Sequence, residues 1–376
     1  MTTKSPSLIL VLNSGSSSIK YALFSDLKLK TKGLEPKIGV TGGPKNHYEA
    51  LNLIFQKLKK QGYLKNLNEI KAVGHRVVHG GENFKETTII DNQVLKTIKD
   101  LSLLAPLHNP PNVLGIETCQ KLLPHALNIA IFDTAFYSSL AQEAFLYALP
   151  RELYEQHQIR KYGFHGISHQ YIVQKTQQIL KNKADRIISC HLGAGSSLTA
   201  VKNNQPVDTT MGFTPLEGLI MTTRSGSIDP FLPIFLIENL GYSPQEVDEI
   251  LNQKSGYLGI CGLKDFKEIL KMKTEKSFLC YQMYLRSVVK YLGSYLGLLD
   301  GAEAIVFTGG IGSGSAKFRE DVISYFQFAG IKLDRQKNYH HNVIISAPSS
   351  KIKVLTLRTN EELMIAQEVL KMLKKQ

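Results

Sequence analysis

Three short segments rich in glycine and serine each follow an apolar, strand-like run, and they constrain the fold more than any other feature. They are Asn-Ser-Gly-Ser-Ser-Ser at residues 13–18, His-Leu-Gly-Ala-Gly-Ser-Ser at residues 191–197 and Thr-Gly-Gly-Ile-Gly-Ser-Gly at residues 308–314. Glycine has no Cβ, so backbone N–H groups can converge on an anion, and serine hydroxyls add further donors. Three such loops in one chain predict a polyphosphate ligand, such as ATP, that is held from several sides.

A strand–loop–strand pattern occurs twice in the chain. The apolar runs that flank the first two loops are residues 8–12, 19–24, 187–189 and 198–201. Because 376 residues are too many for one simple core, we expect two α/β domains of similar topology with a ligand in the cleft between them. The first domain is predicted to comprise residues 1–150, with residues 363–376 returning to it, and the second residues 151–362.

Periodicity and turn residues predict several further elements. Asn-Pro-Pro at residues 109–111 is typical of the start of a helix. Apolar positions indicate a long helix over residues 277–299 and a last helix over residues 360–374. Residues 128–132 read as a buried strand that ends at Asp133, where functional groups often lie in α/β sheets.

Composition and cysteine usage narrow the class of protein. The chain is 43% hydrophobic and 20% charged, as expected of a globular enzyme rather than a disordered chain. No run approaches the roughly 18 apolar residues that a membrane span needs, and residues 1–6 lack the features of a signal peptide. The four cysteines form no CxxC pair, which argues against a disulfide framework or a zinc ribbon. We therefore expect a cytoplasmic protein.

The formal net charge of +13 allows two interpretations. A basic surface could bind nucleic acid, but the lysines are scattered along the chain rather than interleaved with aromatic residues. Solvated lysines together with a pocket for anionic ligands explain the same charge. We expect anionic small molecules as partners, with neither nucleic acid nor a membrane, and filter binding over a salt series would expose nucleic-acid binding.

Several longer segments resemble the acetate kinase family. They are residues 12–20, 74–82 (Gly-His-Arg-Val-Val-His-Gly-Gly-Glu), 105–112 (Ala-Pro-Leu-His-Asn-Pro-Pro-Asn), 132–136, 162–169 (Tyr-Gly-Phe-His-Gly-Ile-Ser-His), 212–218, 223–226 and 359–363. They occur in the family's order from residue 8 to the C-terminus. The resemblance implies the fold of sugar kinases, chaperone ATPases and actin, with two ribonuclease-H-like domains of similar topology. It also implies a homodimer that transfers the γ-phosphoryl group of ATP reversibly to acetate with Mg²⁺, or Mn²⁺ in its place, giving acetyl phosphate and ADP.

The chemistry of such a substrate indicates what the site needs. A carboxylic acid has a pKa near 4, so it is already an anion at neutral pH and needs no general base to become a nucleophile. The site must instead hold two anions together and neutralise the charge that spreads over the transferred phosphoryl group. We therefore expect arginines, histidines and a metal ion.

The resemblance assigns catalysis to Asp133, His165 and Arg224, and acetate binding to Arg76 and His108. Arg76 suits the carboxylate because a guanidinium group pairs with it through two hydrogen bonds. His165 resembles the histidine that contacts the transferred phosphoryl group, and Arg224 the arginine that stabilises the transition state. Asp133 is either an orienting group or ligand of a Mg²⁺-bound water, or a proton donor or acceptor. The family's methyl-binding positions match Val78, Leu107, Phe164 and Pro215, although ordinary core residues would look the same.

The resemblance also assigns the nucleotide and metal residues. The matching nucleotide-binding positions are Ser16, Ser18, Lys20, His191, Leu192, Gly193, Ala194, Gly195, Asp265, Phe266, Lys267, Gly310, Ile311, Gly312, Ser313 and Gly314. Asn13 and Glu361 match the Mg²⁺-associated positions. Thr359 and Glu362 fit a capping box at the start of the last helix, which would leave Glu361 as the freer carboxylate.

The nucleotide segments depart from the family pattern at five positions. Ala194 replaces asparagine, Lys267 replaces arginine, Ser313 and Gly314 replace glutamate and asparagine, and Thr222 stands where glycine is common. These changes predict an altered nucleotide affinity or purine preference. They leave the residues assigned to phosphoryl transfer in place.

Three alternative functions remain open at this stage. A propionate kinase would share every motif, because one methylene changes binding by only about 1–3 kcal/mol. An actin-type nucleotide-binding protein with little turnover would explain the altered nucleotide segments. The third alternative is a zinc hydrolase. The pairs His75/His79 and His165/His169 have a spacing that suits zinc on a helix, but no HExxH motif or cysteine partner accompanies them.

Overall fold

The computed structural model describes residues 7–375, and within them the chain forms two compact units. The first unit contains the residues up to Ser138, the segment Gly166–Ser168 and the residues from Asn360 onward. The second contains Ser139–His165 and His169–Thr359. Residues 1–6, on which the expectation of no signal peptide depended, and residue 376 lie outside the described residues. The domain boundaries at residues 150 and 362 remain a prediction, because a compact unit need not fold independently.

Eleven strands lie within the described residues. They are β1 (Leu8–Ser14), β2 (Ser18–Ser25), β3 (Lys28–Pro36), β4 (Ile70–Val77), β5 (Thr88–Ile89), β6 (Leu127–Phe132), β7 (Arg186–Leu192), β8 (Ser196–Lys202), β9 (Gln205–Thr209), β10 (Ala304–Thr308) and β11 (Lys353–Thr356).

The helices range from single turns to seven turns in length. They are α1 (His47–Lys60), α2 (Asn92–Asp100), α3 (Asn109–Leu122), α4 (Gln142–Phe145), α5 (Arg151–His157), α6 (Gly166–Leu180), α7 (Phe231–Leu240), α8 (Pro244–Glu249), α9 (Gly256–Cys261), α10 (Phe266–Lys271), α11 (Glu275–Leu298), α12 (Gly309–Gly314), α13 (Ala316–Ser324), α14 (Arg335–Tyr339) and α15 (Glu361–Lys375). No helix within residues 7–375 combines the length and apolar character of a membrane span.

The first unit is built on a six-stranded sheet with the order β3-β2-β1-β4-β6-β5. β1, β4 and β6 are parallel neighbours with almost wholly buried apolar residues, as expected for strands covered on both faces. Leucines and isoleucines of α1, with Cys119 of α3, form a core with β1, β2 and β4. α15 packs closely against β4, since a Cβ at Gly74 would lie 2.7 Å from Ile365 and Val369.

The second unit has a five-stranded sheet with the order β11-β10-β7-β8-β9. Its core includes the long helix α11, whose Tyr284 ring stacks on Phe318 of α13 at a centroid distance of 5.0 Å. In both sheets an antiparallel three-stranded meander (β1-β2-β3 or β7-β8-β9) is followed by parallel strands (β4 and β6, or β10 and β11). The prediction of two α/β units of similar topology is therefore confirmed.

The predicted strand over residues 128–132 is confirmed as β6, and the predicted helices as α3, α11 and α15. The third glycine-rich segment was wrongly predicted to be a loop, because residues 309–314 form the short helix α12. The next strand, β11, runs parallel to β10, so the chain must turn into a crossover here rather than into a hairpin. Gly309 makes this turn with a φ of +77°, and a Cβ there would lie 2.5 Å from the Leu192 carbonyl oxygen.

The predicted capping box at the last helix is also wrong. α15 begins at Glu361, and the Asn360 side-chain oxygen accepts a hydrogen bond from the Leu363 N–H at 3.0 Å. Asn360 is therefore the N-cap residue, and Glu361 and Glu362 are the first two residues of the helix. Both carboxylates lie near the positive end of the helix dipole.

The burial of His75 is expected to make the free energy of unfolding depend on pH. Its side chain is buried in β4 with Nε2 2.8 Å from Asn128 Oδ1, and burial lowers its pKa to about 4. Between pH about 6.5 and pH about 4 the unfolded chain binds a proton that the folded chain does not, so stability falls as the pH is lowered. This one group contributes about 3 kcal/mol across the interval. His75→Gln, whose amide can still donate to Asn128, is expected to flatten the dependence in urea unfolding at a series of pH values. An unchanged slope would contradict this role.

Candidate active site

In the first unit, the loop between β1 and β2 gathers four of the predicted residues. Asn13 lies directly opposite Lys20 in the antiparallel pair, and Ser18 is two residues from Lys20 along β2, so their side chains share one face of the hairpin. The loop is held by a hydrogen bond from the Gly15 N–H to the Ser18 carbonyl oxygen, at 2.8 Å. Ser16 at its tip and Lys20 are exposed.

Arg76 and Asp133 form an ion pair beside the carboxyl ends of β4 and β6. Arg76 Nη2 lies 2.5 Å from Asp133 Oδ2, and Nε lies 3.1 Å from Oδ1. Asp133 is 1% exposed, so the bond compensates a carboxylate that is removed from water. Burial alone would lower the pKa of Arg76, but Asp133 and then Glu361 outweigh burial and raise it. The aspartate holds the guanidinium group in a fixed orientation.

Glu361 adds a second carboxylate to this group. Burial raises its pKa, Arg76 opposes the rise, and the carboxylates of Asp133 and Glu362 reinforce it. Three carboxylates therefore act on a small region in which Arg76, with a half-buried side chain, is a nearby cation. A divalent cation would relieve this repulsion.

The described residues 7–375 contain no group of three histidine, cysteine or acidic side chains arranged to hold a metal by themselves. The carboxylates around Glu361 still fit Mg²⁺, which is usually bound through one or two carboxylates, water and substrate phosphates. His75 and His169, from the two histidine pairs considered for zinc, are each hydrogen-bonded within the protein.

Two asparagines that we had not assigned to the site brace the end of β4. Asn112 Oδ1 accepts a hydrogen bond from the Val78 N–H at 3.1 Å, and its Nδ2 donates to the Ser14 carbonyl oxygen at 2.7 Å. Asn109 bonds both backbone groups of His79, at 3.1 Å and 3.0 Å. Their positions in the motif Ala-Pro-Leu-His-Asn-Pro-Pro-Asn, at the start of α3, were the available signal. Val78 is half-buried.

His108 immediately precedes α3 as its N-cap residue and is half-buried. Leu107, which precedes it, is 59% exposed, so its side chain does not belong to the core of this unit. Of the four predicted methyl-binding residues, Leu107 is therefore not explained as an ordinary core residue.

In the second unit, His165 and His191 are brought together. Their rings stack with centroids 4.4 Å apart and an interplanar angle of 25°. His165 has a φ of 57°, in the left-handed region that residues other than glycine seldom adopt. A Cβ at Gly195 would lie 3.2 Å from the His165 ring, so glycine permits the close approach of this loop to the ring. Phe164, beside His165, is buried.

Arg224 and Pro215 also lie together. Arg224 Nη1 is 3.5 Å from the Pro215 carbonyl oxygen and 3.8 Å from Met221 Sδ, and burial lowers the pKa of Arg224. No carboxylate of the described residues forms an ion pair with this guanidinium group. A half-buried arginine without an ion pair is suited to binding an anion.

A cavity of about 550 Å³ in the second unit is lined by eight of the sixteen predicted nucleotide residues. Those that line it are Gly193, Ala194, Asp265, Phe266, Lys267, Gly310, Ile311 and Gly314. Its volume lies in the range of small-molecule sites. Leu192 is instead fully buried, Gly312 is buried within α12, and Ser313 is half-buried without lining the cavity.

Three of the predicted nucleotide side chains have structural roles as well. Asp265 is the N-cap of α10 and accepts a hydrogen bond from the Lys267 N–H at 2.8 Å. The Phe266 ring is largely buried in the aromatic core. Ser313 Oγ donates to the Gly309 carbonyl oxygen at 2.7 Å, which satisfies its hydroxyl within α12.

Sequence reasoning missed Arg319, which supports α12 from beneath. Its side chain is 0% exposed and donates to the carbonyl oxygens of Gly312 at 2.8 Å and Ser313 at 3.1 Å. Nε donates to the Asn338 side chain at 2.8 Å. Burial lowers the pKa of Arg319 to about 10. An arginine in an amphipathic helix usually lies at the surface, so only the tertiary structure reveals this role.

Comparisons with known proteins agree with these observations. A model of the acetokinase family matches residues 8–367. The acetate kinase of Thermotoga maritima is 47% identical, over 98% of this chain and 99% of that protein. The crystal structure of a propionate kinase from Francisella tularensis superposes with a TM-score of 0.92 at 38% identity, covering 96% of this chain and 98% of that one. That of Porphyromonas gingivalis acetate kinase gives 0.91 at 37% identity, covering 98% and 100%.

The sheets and these structures define a mixed α/β phosphotransferase fold of the actin-like ATPase type, which confirms the predicted fold class. The chain belongs to the acetokinase family, as its motifs predicted.

Proposed function

We propose that this chain is an acetate kinase, which transfers the γ-phosphoryl group of ATP reversibly to acetate and forms acetyl phosphate and ADP. The observation that carries the proposal is the acetokinase match over residues 8–367, because that segment includes every residue proposed below to take part in the transfer. The 47% identity to a relative named as an acetate kinase supports the same conclusion.

Arg76 is proposed to bind the acetate carboxylate. Its Nε and Nη2 are occupied by Asp133, whereas Nη1 forms no hydrogen bond with the described residues. We assign Asp133 an orienting role, because acetate is already ionised and both carboxylate oxygens of Asp133 are bonded to Arg76. This favours the orienting alternative over a proton donor or acceptor.

Glu361 and Asn13 are proposed to hold Mg²⁺, or Mn²⁺ in its place, together with water and phosphate oxygens. When bound, the ion would neutralise charge on the nucleotide phosphates. The raised pKa of Glu361 supports this role, since a carboxylate surrounded by other carboxylates gains most from a nearby cation. Ser16, Ser18 and Lys20 would contact the phosphates from the exposed hairpin.

The nucleotide is proposed to occupy the cavity beside Gly193 and α12. Backbone N–H groups of glycine-rich segments and the start of α12 suit phosphates, and Lys267 supplies a cation. His165, His191 and Arg224 are proposed to stabilise the negative charge that develops on the transferred group. His108 would contact the bound acetate.

The methyl group is proposed to contact Val78, Leu107, Phe164 and Pro215. These side chains are apolar, and a methylene in such a pocket changes binding by about 1–3 kcal/mol. Propionate is therefore expected as a weaker substrate, in agreement with the structural similarity to a propionate kinase.

The function is tested by trapping acyl phosphate with hydroxylamine for acetate, propionate and butyrate, each with ATP or GTP. We expect acetate to have the highest kcat/KM and propionate to follow by about tenfold or more. Higher kcat/KM with propionate would make the chain a propionate kinase. Binding of nucleotide without acyl phosphate would favour the actin-type protein with little turnover.

Two arginine variants separate ground-state binding from transition-state stabilisation. Arg76→Ala should raise KM for acetate strongly, because the carboxylate loses its partner. Arg224→Ala should mainly lower kcat, by about 10²–10³-fold, as expected for loss of a transition-state donor. Steady-state kinetics of the trapping assay measure both. Unchanged acetate kinetics in Arg76→Ala, or a change confined to KM in Arg224→Ala, would refute the respective role.

We also propose that the protein is a cytoplasmic homodimer that associates through α7. Phe231 is 58% exposed and Leu240 56% exposed, and no residue of this ten-residue helix is buried. A surface this apolar usually marks a protein interface. The cysteines are free thiols, as is usual in the reducing cytoplasm.

Sedimentation equilibrium tests the dimer. The unsubstituted protein should sediment with twice the mass of one chain. Phe231→Glu should shift the equilibrium toward monomer, because a carboxylate would be buried in the interface. Phe328→Glu is the matched control, since Phe328 is 86% exposed in a different segment. Equal masses for the two variants would exclude α7 as the interface.

A further inference from the structure

Behind His165 lies a buried chain of hydrogen bonds that the proposed phosphoryl transfer does not use. His165 Nδ1 is 2.9 Å from Ser197 Oγ, and the same oxygen is 2.8 Å from His169 Nε2. His169 Nδ1 is in turn 2.8 Å from Ser189 Oγ. His169, Ser189 and Ser197 are all 0% exposed, so each proton in this chain must be matched within the protein.

The helix and strands that meet here explain why these hydrogen bonds form. His165 is the N-cap residue of α6 and His169 lies in its first turn, where the His169 N–H donates to the His165 carbonyl oxygen at 3.0 Å. Ser189 lies in β7 and Ser197 in the adjacent antiparallel strand β8. The two serines thus bracket the His169 ring, one at each ring nitrogen.

The direction of the hydrogen bonds follows from Ser189. Its hydroxyl has no other hydrogen-bond partner among the described residues. A buried hydroxyl that only accepted a bond would leave its own proton unmatched, which is costly. Ser189 therefore donates to His169 Nδ1.

The protonation of His169 then fixes the direction of the next hydrogen bond. Burial, and then the neighbouring His191, hold the pKa of His169 well below its usual value, so the ring is neutral and carries a single proton. Because Nδ1 accepts, that proton lies on Nε2 and is donated to Ser197 Oγ. Ser197 then donates its own proton to His165 Nδ1.

We propose that Ser189, His169 and Ser197 are positioning residues that hold neutral His165 in the tautomer with its proton on Nε2. In this tautomer the ring donates a hydrogen bond through Nε2 without first binding a second proton. The opposite tautomer would present a lone pair there. The Nε2 edge lies beside Gly195, since a Cβ at that glycine would be 3.2 Å from Nε2.

The benefit of this arrangement rests on the proposed function, in which His165 contacts a phosphoryl oxygen. An anionic oxygen accepts a hydrogen bond and is repelled by a lone pair, so a preset donor favours the transition state. The stacked His191 ring restricts rotation of the imidazole and supports the same geometry.

We call the hydrogen bonds from Ser189 through His169 and Ser197 to His165 the relay. It is tested first without ligands, by ¹⁵N–¹H correlation spectra of the histidine side chains in the full-length protein at alkaline pH. The His165 signals, identified by their loss in His165→Gln, should show a protonated Nε2 and an unprotonated Nδ1. Ser197→Ala should convert this pattern to a mixture of tautomers, and Ser197→Thr should restore it, because threonine retains the hydroxyl. A protonated Nδ1, or a pattern unchanged in Ser197→Ala, would overturn the proposal.

Kinetics supply the second readout. Ser197→Ala should lower kcat about tenfold or more with KM for acetate and ATP within about twofold, and Ser197→Thr should recover most of the loss. Thr176→Val is the control, since it removes another fully buried hydroxyl from α6 and should change neither kcat nor the tautomer. A loss that Ser197→Thr does not recover, or an equal loss in Thr176→Val, would overturn the relay.

The two hypotheses fail differently. If the protein has no acyl kinase activity but His165 shows the Nε2 tautomer that depends on Ser197, only the proposed function fails. If the activity is present and the tautomer does not depend on Ser197, only the relay fails.

Discussion

The ion pair between Arg76 and Asp133 is the interaction on which the chemistry of the first unit depends. A buried carboxylate at the end of β6 would be costly alone, and a guanidinium group on β4 would be mobile without a partner. The parallel pairing of β4 and β6 places both at the same edge of the sheet. Asn112 and α3 brace that edge, and Glu361 enters it from the start of α15.

The second unit solves a related problem with neutral groups. Glycines let the turn after β7 and the start of α12 approach other atoms closely, as Gly195 does at the His165 ring and Gly309 at the Leu192 carbonyl. Serine hydroxyls then orient the histidine rings from behind. Arg319 compensates the carbonyl oxygens at the end of α12. Arg319 therefore acts on the backbone rather than on a carboxylate.

Much of the fold could be predicted because the signals were local. The hairpins depend on apolar runs around glycine-containing turns, and the helices on apolar spacing and residues such as Asn109 at a helix start. The errors occurred where two local patterns competed. The segment at residues 309–314 has the glycine content of a loop, but the parallel crossover makes it a helix, and Asn360 rather than Thr359 caps α15.

By itself, the sequence determined the class of fold, the family and the types of side chain available for chemistry, since motifs and periodicity are properties of neighbouring residues. Only the tertiary structure decided which of these side chains are already engaged with one another. Asp133 is bonded to Arg76, and Asp265 caps a helix. His169, which reads as half of a metal-binding pair, is hydrogen-bonded between two serines of the adjacent strands β7 and β8. These partners lie 20 or more residues apart in the case of His169, and 57 in that of Arg76, so no local pattern could reveal them.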